Sequence, residues 1–227
     1  MRLCYDIVLF DLDGTLFESG EGILNTVRET LARFRWPVPE PDQLRRFIGP
    51  ANHYSYEFVA GMPHQLAQEA AAYHRAAYRD GGWRACRLYP GVRELLRELR
   101  AAGAKTAVAS TKPRPALESM LNAFGLAPLF DAVAAGEADG TRGEKPYLIA
   151  CALEGCGAQP CNRAVMVGDT RFDAAGARDS ALPFIGVLYG YGTREEMARE
   201  GASAFAGSVE ELRALLLREG EEPSQAI

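Results

Sequence analysis

The stretch DIVLFDLDGTLF, residues 6–17, places an apolar run directly before two aspartates that lie one residue apart, Asp11 and Asp13. Short, almost wholly apolar runs are typical of strands that are buried on both faces of a parallel sheet. Asp13-Gly14 between two apolar runs also fits a β-hairpin turn, which these residues alone leave open. A calcium loop of the EF-hand type does not fit, because Gly14 comes two positions too early with Asp11 as first ligand.

More runs of this kind follow along the chain, and helical patterns separate them. The predicted strands cover residues 6–10, 105–109, 131–135, 164–167 and 184–188. The helix signals between them are the prolines Pro113, Pro115 and Pro146 and the capping-box sequences Thr193-x-x-Glu196 and Ser208-x-x-Glu211. Strands that alternate with helices form βαβ units. The predicted fold class is therefore α/β, with a doubly wound, Rossmann-like parallel sheet.

One long segment, residues 17–87, interrupts this alternation and shows no convincing strand. Ile23, Val27 and Leu31 recur within it at helical spacing, and the alanine-rich stretch 64–78 favours a helix. We therefore predict an inserted all-helical cap domain. The chain then divides into an α/β core at 1–16 and 88–219, the cap at 17–87 and a disordered tail at 220–227.

Composition narrows the classes of partner. The 227 residues are 48% hydrophobic and carry a formal net charge of −5, so the chain has no broad basic face for a nucleic-acid polymer or an anionic membrane surface. No apolar stretch approaches the roughly 20 residues that span a bilayer, and the N-terminus lacks signal-peptide features, so we expect a cytoplasmic monomer or homodimer. Five cysteines without a C-x-x-C pair favour reduced thiols over a disulfide framework or a zinc site.

Polar side chains also follow two other predicted strands. Ser110, Thr111 and Lys112 follow the second strand, and Asp169 follows the fourth, with Asp173 four residues later. Ligands of open α/β sheets bind beyond the carboxyl ends of the strands, so these groups are expected to meet Asp11 there. Four of these residues also have a purely structural alternative. Ser110 and Thr111 could cap the helix that begins at Pro113. Asp169 could be the N-cap of the helix that follows it, and Asp173 an acidic residue in the first turn of that helix.

Lys145 stands directly before a predicted helix. A cation at a helix N-terminus opposes the helix dipole by about 0.3–1 kcal/mol, so its placement predicts an anionic neighbour. The aspartates that are expected at the same edge of the sheet are the candidates for this neighbour.

Four motifs of the chain resemble, in order and spacing, those of the haloacid dehalogenase superfamily: DLDGT, a Ser or Thr that closes the second strand, a lysine before a helix, and GD-x-x-x-D. The inserted segment is similar to the helical, C1-type cap of the phosphoglycolate-phosphatase-like branch. Further stretches, RRFIGP, LYPGVRELL, STKP, ADGTRGEKP and GVLYGYGT, are similar to that branch across nearly the whole chain. Glu18-Ser19 departs from the Asp-Ser that is common there, which affects the expected cap geometry.

The resemblance implies a Mg²⁺-dependent phosphatase that acts on a small phosphorylated metabolite. In the family's scheme Asp11 attacks phosphorus and forms an aspartyl-phosphate, while Asp13 protonates the leaving oxygen and then activates water. Asp11, the Asp13 carbonyl and Asp169 would hold Mg²⁺, which prefers oxygen ligands. The phosphoryl oxygens would be bound by Lys145, Ser110, Thr111 and the backbone at Leu12 and Asp13.

The resemblance also implies supporting residues and a role for the cap. Asp173 would orient Lys145 or hold a metal-bound water, next to Gly168. The cap would close over the phosphate and select the leaving group. The hinge candidates are Gly20, Gly22 and Gly91. The candidate selecting residues, chosen because they are among the polar residues nearest a Gly-Pro turn, are Arg45, Arg46, Asn52 and His53, for which plain surface positions are the alternative.

The sequence leaves the substrate and the exact activity open. Phosphoglycolate, a nucleoside 5′-monophosphate and other small phosphomonoesters all fit the motifs. Asp13 favours hydrolysis, because relatives in transport cycles typically have Thr at this position and dehalogenases an aromatic residue. A phosphosugar mutase keeps both aspartates and is one alternative, and a catalytically idle binding or regulatory protein on the same fold is another.

Overall fold

The fold is built around a parallel sheet with the apolar run before Asp11 near its centre. The computed structural model of the protein describes residues 2–137 and 142–218. The tail predicted at 220–227 and residues 138–141 of the ADGTRGEKP stretch lie outside the described residues. The strands are β1 (Arg2–Leu3), β2 (Ile7–Phe10), β3 (Phe17–Glu18), β4 (Arg87–Leu88), β5 (Lys105–Pro113), β6 (Ala132–Gly136), β7 (Ala164–Gly168), β8 (Phe184–Val187), β9 (Ala204–Ala206) and β10 (Leu217–Arg218).

Helices surround this sheet and fill the segment between β3 and β4. They are α1 (Gly20–Arg33), α2 (Pro41–Leu44), α3 (Asn52–Tyr54), α4 (His64–Asp80), α5 (Val92–Ala101), α6 (Arg114–Ala123), α7 (Lys145–Gly155), α8 (Arg171–Asp179), α9 (Arg194–Arg199) and α10 (Val209–Leu216). Short 3₁₀ turns cover Arg45–Phe47, Gly82–Ala85 and Ala127–Leu129, and a π-helical turn covers Ser55–Val59. Among the described residues, no helix has the length and apolar character needed to cross a membrane.

Six strands form the main sheet in the order β6-β5-β2-β7-β8-β9, and neighbouring strands in it are parallel. The strands predicted from apolar runs are all present, although β5 runs four residues beyond its predicted end, to Pro113. The sequence pattern missed β9, because three residues at the sheet edge are too few to show a period. The predicted α/β class with a Rossmann-like parallel sheet is confirmed.

The burial of β2 explains why its sequence does not alternate between polar and apolar residues. Val8 and Phe10 join one apolar cluster, and Ile7 and Leu9 join another, so both faces of the sheet are covered. All four side chains are at most 2% exposed. The strand pairs in parallel with β5 and β7, which excludes the hairpin alternative for residues 6–17.

A two-stranded ribbon connects the helical segment to the core. Phe17 in β3 lies opposite Leu88 in β4, and Glu18 lies opposite Arg87, in an antiparallel pair. The prediction that residues 17–87 contain no strand missed this ribbon, because two residues in each strand leave no pattern in the sequence. Both passages of the chain between core and helical segment therefore lie side by side.

The helical segment packs on the core rather than standing apart from it. Its helices α1 and α4 contact each other, with Val27 and Leu31 of α1 and Ala67 of α4 all fully buried. These side chains belong to the same apolar cluster as Val8 and Phe10 of the sheet. One continuous core therefore runs from the sheet into the helices above it.

Candidate active site

The carboxyl edge of the main sheet gathers the polar groups that follow its strands. Asp11 follows β2, Ser110 lies in β5, and Asp169 follows β7. β5 and β7 are the two strands that flank β2. The Asp11 N–H donates to the Val167 carbonyl at 2.9 Å, which ties the end of β2 to β7. The groups that were expected to meet at this edge do so.

Lys145 is the first residue of α7 and connects two aspartates. Its Nζ atom lies 2.7 Å from Asp11 Oδ1 and 2.6 Å from Asp173 Oδ1, and it donates to the Ala109 carbonyl at 2.9 Å. Burial lowers the pKa of this ammonium, but Asp11 and Asp173 outweigh burial and raise the pKa above its usual value. Lys145 is therefore charged, and it has the anionic neighbours expected for a cation at the start of a helix.

Asp173 contacts Lys145 with one oxygen and the start of α8 with the other. Its Oδ2 atom accepts hydrogen bonds from the Thr170 N–H at 3.0 Å and the Thr170 hydroxyl at 2.7 Å. Thr170 is the N-cap of α8, so the alternative in which Asp169 caps this helix is wrong. Gly168 makes room for Asp173, because a Cβ at position 168 would lie 2.4 Å from the Asp173 Cβ.

Asp169 is fully buried, and its carboxylate makes no ion pair within residues 2–137 and 142–218. The Tyr191 N–H donates to its Oδ2 at 2.8 Å, and the Thr15 hydroxyl donates to its Oδ1 at 3.3 Å. Burial raises the pKa of Asp169 well above its usual value, and the neighbouring carboxylates of Asp173 and Asp11 add to the rise. A positive charge beside Asp169 would restore its ionised form.

The donor set at this edge fits a hard divalent cation. Carboxylate oxygens of Asp11, Asp169 and Asp173 lie within 4.8 Å of one another, and all three residues are buried. Lys145 is the cation that pairs with this acidic cluster, and three ionised carboxylates would leave two negative charges uncompensated. An all-oxygen set with excess negative charge suits Mg²⁺. The acidic cluster includes the Asp173 carboxylate, whereas the Asp13 side chain points elsewhere.

Asp11 belongs to the acidic cluster and also lines the cavity, where its carboxylate could act as a nucleophile. Burial raises the pKa of its carboxyl group to about 7, while Lys145 opposes the rise and Asp173 adds to it. A carboxylate attacks only in its ionised form, so positive charge close to Asp11 decides its reactivity. Lys145 supplies part of this charge, and a cation in the acidic cluster would supply more.

The Asp13 side chain turns away from the acidic cluster and binds Lys112. The Lys112 Nζ atom lies 3.0 and 2.8 Å from its two carboxylate oxygens, and the Lys112 side chain is only 5% exposed. Burial lowers the pKa of Lys112, but Asp13 outweighs burial and raises it. Lys112 follows the same predicted strand as Ser110 and Thr111, but the sequence assigned it no role, because the direction of its side chain depends on a register shift between β5 and β6 after Ser110.

Ser110 and Thr111 lie in the wall of a cavity at this edge. The buried Ser110 hydroxyl accepts from the Lys112 N–H at 3.4 Å, and the Thr111 hydroxyl faces the Gly49 carbonyl of the helical segment at 3.5 Å. Neither hydroxyl caps α6, whose N-cap is Pro113, so that alternative is wrong. Leu12 is fully buried between the two aspartates.

The cavity, of about 80 Å³, lies between the sheet edge and the helical segment. Its core side includes Asp11, Asp13, Ser110, Thr111, Lys145 and Asp173. Asn52 and His53, two of the predicted cap residues, line its other side. Sequence reasoning missed three further cap residues in its wall, His74, Arg75 and Tyr78. Their spacing along α4 was the available signal, since it places them on one face of an otherwise alanine-rich helix.

Arg45 and Arg46 do not line this cavity. They belong to a 3₁₀ turn in which Phe47 is buried and enters the cavity wall, while the two arginines are exposed. Both border a separate hollow of about 430 Å³, together with Arg171. The structure thus brings Asn52 and His53 to Asp11 but leaves Arg45 and Arg46 outside, because the turn directs its apolar side chain inward.

The comparisons with known proteins agree with this fold. Residues 8–187 match the family of haloacid dehalogenase-like hydrolases. The chain is 35% identical to the tyrosine-protein kinase PtkA of Mycobacterium tuberculosis, over 92% of this chain and 72% of that protein. It is 34% identical to a 5′-nucleotidase of Pseudomonas aeruginosa, over 94% and 96% of the two chains. A crystal structure described as a predicted phosphatase from Clostridium acetobutylicum matches with a TM-score of 0.86 and 35% identity, over 92% and 96%.

The chain belongs to the haloacid dehalogenase-like hydrolase family. The predicted superfamily is confirmed, and so is the predicted enzyme class, a phosphatase. Similar relatives carry different names, so membership of the family does not by itself select a substrate.

Proposed function

We propose that the protein hydrolyses a small phosphomonoester with the help of Mg²⁺ and through an aspartyl-phosphate on Asp11. The observation that carries this proposal is the position of Asp11. It is a buried carboxylate in the wall of the cavity, with Lys145 at 2.7 Å and the rest of the acidic cluster beside it. Phosphomonoester hydrolysis needs a nucleophile, charge neutralisation and proton transfer at one place, and this site offers all three.

In the first step, Asp11 attacks phosphorus and the bond between phosphorus and the leaving oxygen breaks. Lys145 binds Oδ1 of Asp11, so Oδ2 is the oxygen that is free to attack. The charge on Lys145 and the hydroxyl of Ser110 stabilise the phosphoryl oxygens. The backbone N–H groups at Leu12 and Asp13 donate to the same oxygens.

Asp13 transfers the protons of both steps. In its carboxylic-acid form it keeps one oxygen on Lys112 and gives the proton on its other oxygen to the leaving oxygen, which departs as an alcohol. In the second step the Asp13 carboxylate takes a proton from water, and the resulting hydroxide attacks phosphorus of the aspartyl-phosphate. Inorganic phosphate leaves, Asp11 is a carboxylate again, and Asp13 is protonated for the next cycle.

Mg²⁺ would be held by Asp11, Asp169 and the Asp13 carbonyl, with Asp173 next to them. When bound, it supplies the positive charge that lets an anionic carboxylate approach an anionic phosphate. The buried Asp169 supports this part of the proposal, because it makes no ion pair with any residue in the described ranges.

The size of the cavity favours a small leaving group. A volume of about 80 Å³ is room for only a few water molecules, since one water needs at least about 10–15 Å³. A phosphoryl group with a leaving group of a few atoms, as in phosphoglycolate, suits this space better than a nucleoside 5′-monophosphate. Asn52 and His53 of the cap then lie at the leaving-group side.

Other activities on this fold are distinguished by the fate of the phosphoryl group. A phosphosugar mutase returns it to a sugar, a kinase of the type that the PtkA name describes moves it from ATP to tyrosine, and an idle binding protein leaves it in place. Asp13 favours transfer to water, because it can activate a water molecule against the intermediate. Release of inorganic phosphate as main product is therefore expected.

The test is a panel of phosphorylated metabolites, incubated with purified protein and Mg²⁺ while inorganic phosphate is measured. Asp11→Asn is expected to lower turnover by at least about 10³-fold, because the amide cannot form the aspartyl-phosphate. Asp6→Asn, at a half-buried aspartate just before the same strand that pairs with Arg163, is the control and keeps wild-type turnover. Substantial turnover by Asp11→Asn would exclude the covalent mechanism.

A further inference from the structure

Lys112 and Asp13 form a buried ion pair at the boundary between core and cap. The ammonium contacts both oxygens of the carboxylate, at 3.0 and 2.8 Å, and the side chains of Lys112 and Asp13 are 5% and 16% exposed. Two contacts to one carboxylate fix its orientation as well as its position. Asp13 is therefore held beside Lys112 in the wall of the cavity.

A local irregularity in the sheet accompanies this contact. The pairing of β5 with β6 is regular up to Ser110 and resumes at Pro113, opposite Gly136, after a shift in register. Such shifts bend the strand and redirect the side chains between the paired residues, which here are Thr111 and Lys112. The side chain of Lys112 thereby lines the cavity next to Asp13.

Two buried lysines of the site contact different aspartates. Lys145 contacts Asp11 and Asp173, which belong to the acidic cluster, whereas Lys112 contacts Asp13 alone. The Asp13 carboxylate is absent from the acidic cluster of the described residues. Lys112 thus separates the proton-transferring carboxylate from the groups that would hold the metal.

Lys112 also touches the cap. Its Nζ atom lies 4.1 Å from the centre of the Tyr78 ring, in a cation–π contact with helix α4. Tyr78 stacks on His74 at 6.1 Å between ring centres, and the Nδ1 atom of His74 is hydrogen-bonded to the Tyr56 hydroxyl at 2.9 Å. Any displacement of α4 from the core would remove the Tyr78 ring from Lys112.

We propose that Lys112 is a positioning residue that aims the Asp13 carboxylate at the leaving group, and that Tyr78 makes this aim depend on the closed cap. The proposal rests on the proposed phosphatase function, because it concerns how Asp13 reaches the leaving oxygen. It gives Lys112 and Tyr78 a role in proton transfer to the leaving oxygen, although Asp13 is the residue that transfers the proton.

The test compares two substrates that differ in their need for an acid. One is the alkyl phosphomonoester that the wild-type protein turns over fastest, and the other is p-nitrophenyl phosphate, whose leaving group departs without a proton. Lys112→Met is expected to lower kcat for the alkyl substrate by about 10²-fold or more, and kcat for p-nitrophenyl phosphate by less than about 10-fold. Lys112→Arg restores part of the alkyl activity, because a guanidinium also binds both carboxylate oxygens.

The cap contact is tested by two changes at Tyr78. Tyr78→Leu removes the ring and is expected to cause the same selective loss, about 10-fold for the alkyl substrate, whereas Tyr78→Phe keeps the ring and is expected to lose clearly less activity than Tyr78→Leu. Lys105→Met is the matched control, since Lys105 is an exposed lysine of the same strand. If Lys112→Met does not fold, Lys112→Arg and Tyr78→Leu still test whether Lys112 positions Asp13. Both of these variants keep a positive charge at position 112 and the Asp13 carboxylate.

Each outcome separates this proposal from the proposed function. Equal losses for both substrates would show that Lys112 only maintains the structure, and no loss for either would show that Asp13 needs no such support. A selective loss in Lys112→Met without one in Tyr78→Leu would overturn the link to the cap. A wild-type protein that releases no phosphate from either substrate would overturn the phosphatase function itself.

Discussion

Gly14 of the DLDGT motif lies against a carboxylate. Its φ of +83° is in the left-handed region, and a Cβ at this position would lie 2.0 Å from Asp169 Oδ2. The Gly14 N–H donates to the Phe17 carbonyl at 2.7 Å, which closes the turn after β2. The glycine therefore serves two purposes, because it permits the turn and leaves space for a residue of the acidic cluster.

Gly14→Ala should therefore affect metal binding as well as stability. Gly103→Ala is the matched control, since Gly103 has a φ of +94° but a Cβ added there would meet no atom within 4 Å. Both changes should cost about 1–2 kcal/mol of the free energy of unfolding through left-handed strain. Only Gly14→Ala should raise the Mg²⁺ concentration for half-maximal activity, by about 10-fold or more, because it displaces Asp169. Equal Mg²⁺ dependence in the two variants would contradict this assignment.

Helix α4 carries a buried histidine into the interior of the cap. His74 is 4% exposed and packs between the rings of Tyr56 and Tyr78. Burial lowers its pKa to about 3, and the positive charges of Lys112 and Arg75 contribute to the decrease. The imidazole of the folded protein therefore stays neutral as the pH falls from about 6.5 toward 3. The same histidine in an unfolded chain becomes protonated over this range.

This histidine should make the protein less stable in mild acid. The folded pKa lies below the unfolded value of about 6.5, so the unfolded chain binds the extra proton and stability falls as pH falls from about 6.5 toward 3. At pH 5 the loss from this group amounts to about 2 kcal/mol. Urea unfolding at pH 7 and pH 5 should show a smaller decrease in His74→Gln than in the wild type. His64→Gln, at an exposed histidine paired with Glu57, should behave like the wild type.

At the scale of the whole molecule, one tyrosine joins the start of the cap to the acidic cluster. The Tyr191 hydroxyl accepts hydrogen bonds from the N–H groups of Ser19 at 2.8 Å and Gly20 at 2.6 Å. The N–H of the same residue donates to Asp169 at 2.8 Å. The ribbon of β3 and β4 and this tyrosine thus hold the start of the helical segment next to the acidic cluster.

Exchange of the cap should change the preferred substrate and nothing else about the reaction. A chimera that carries the segment between β3 and β4 from a relative with a different substrate should prefer that relative's phosphomonoester. Mg²⁺ dependence and the requirement for Asp11 should stay the same, because the acidic cluster belongs to the core. A correctly folded chimera that keeps the original preference would show that the core selects the substrate.

The sequence predicted those features that depend on local pattern. The apolar run of β2 and the motif residues Asp11, Lys145 and Asp169 could be found because strand ends in a parallel sheet meet at one edge. The contact of Lys112 with Asp13 could not be found in this way, since the direction of the Lys112 side chain results from a register shift between β5 and β6. The sequence of either strand alone does not show this shift. Arg45 was singled out by its nearness to a Gly-Pro turn, but the burial of neighbouring side chains decides which way that turn faces.

The continuous apolar cluster of sheet and cap has a thermodynamic consequence. Side chains such as Val27 and Leu31 share this cluster with Phe10, so a movement that separates the cap from the core brings part of it into water. Exposed apolar surface raises the heat capacity. If the helical segment closes over a substrate, binding should carry a negative change in heat capacity, and its enthalpy should become more favourable as the temperature rises.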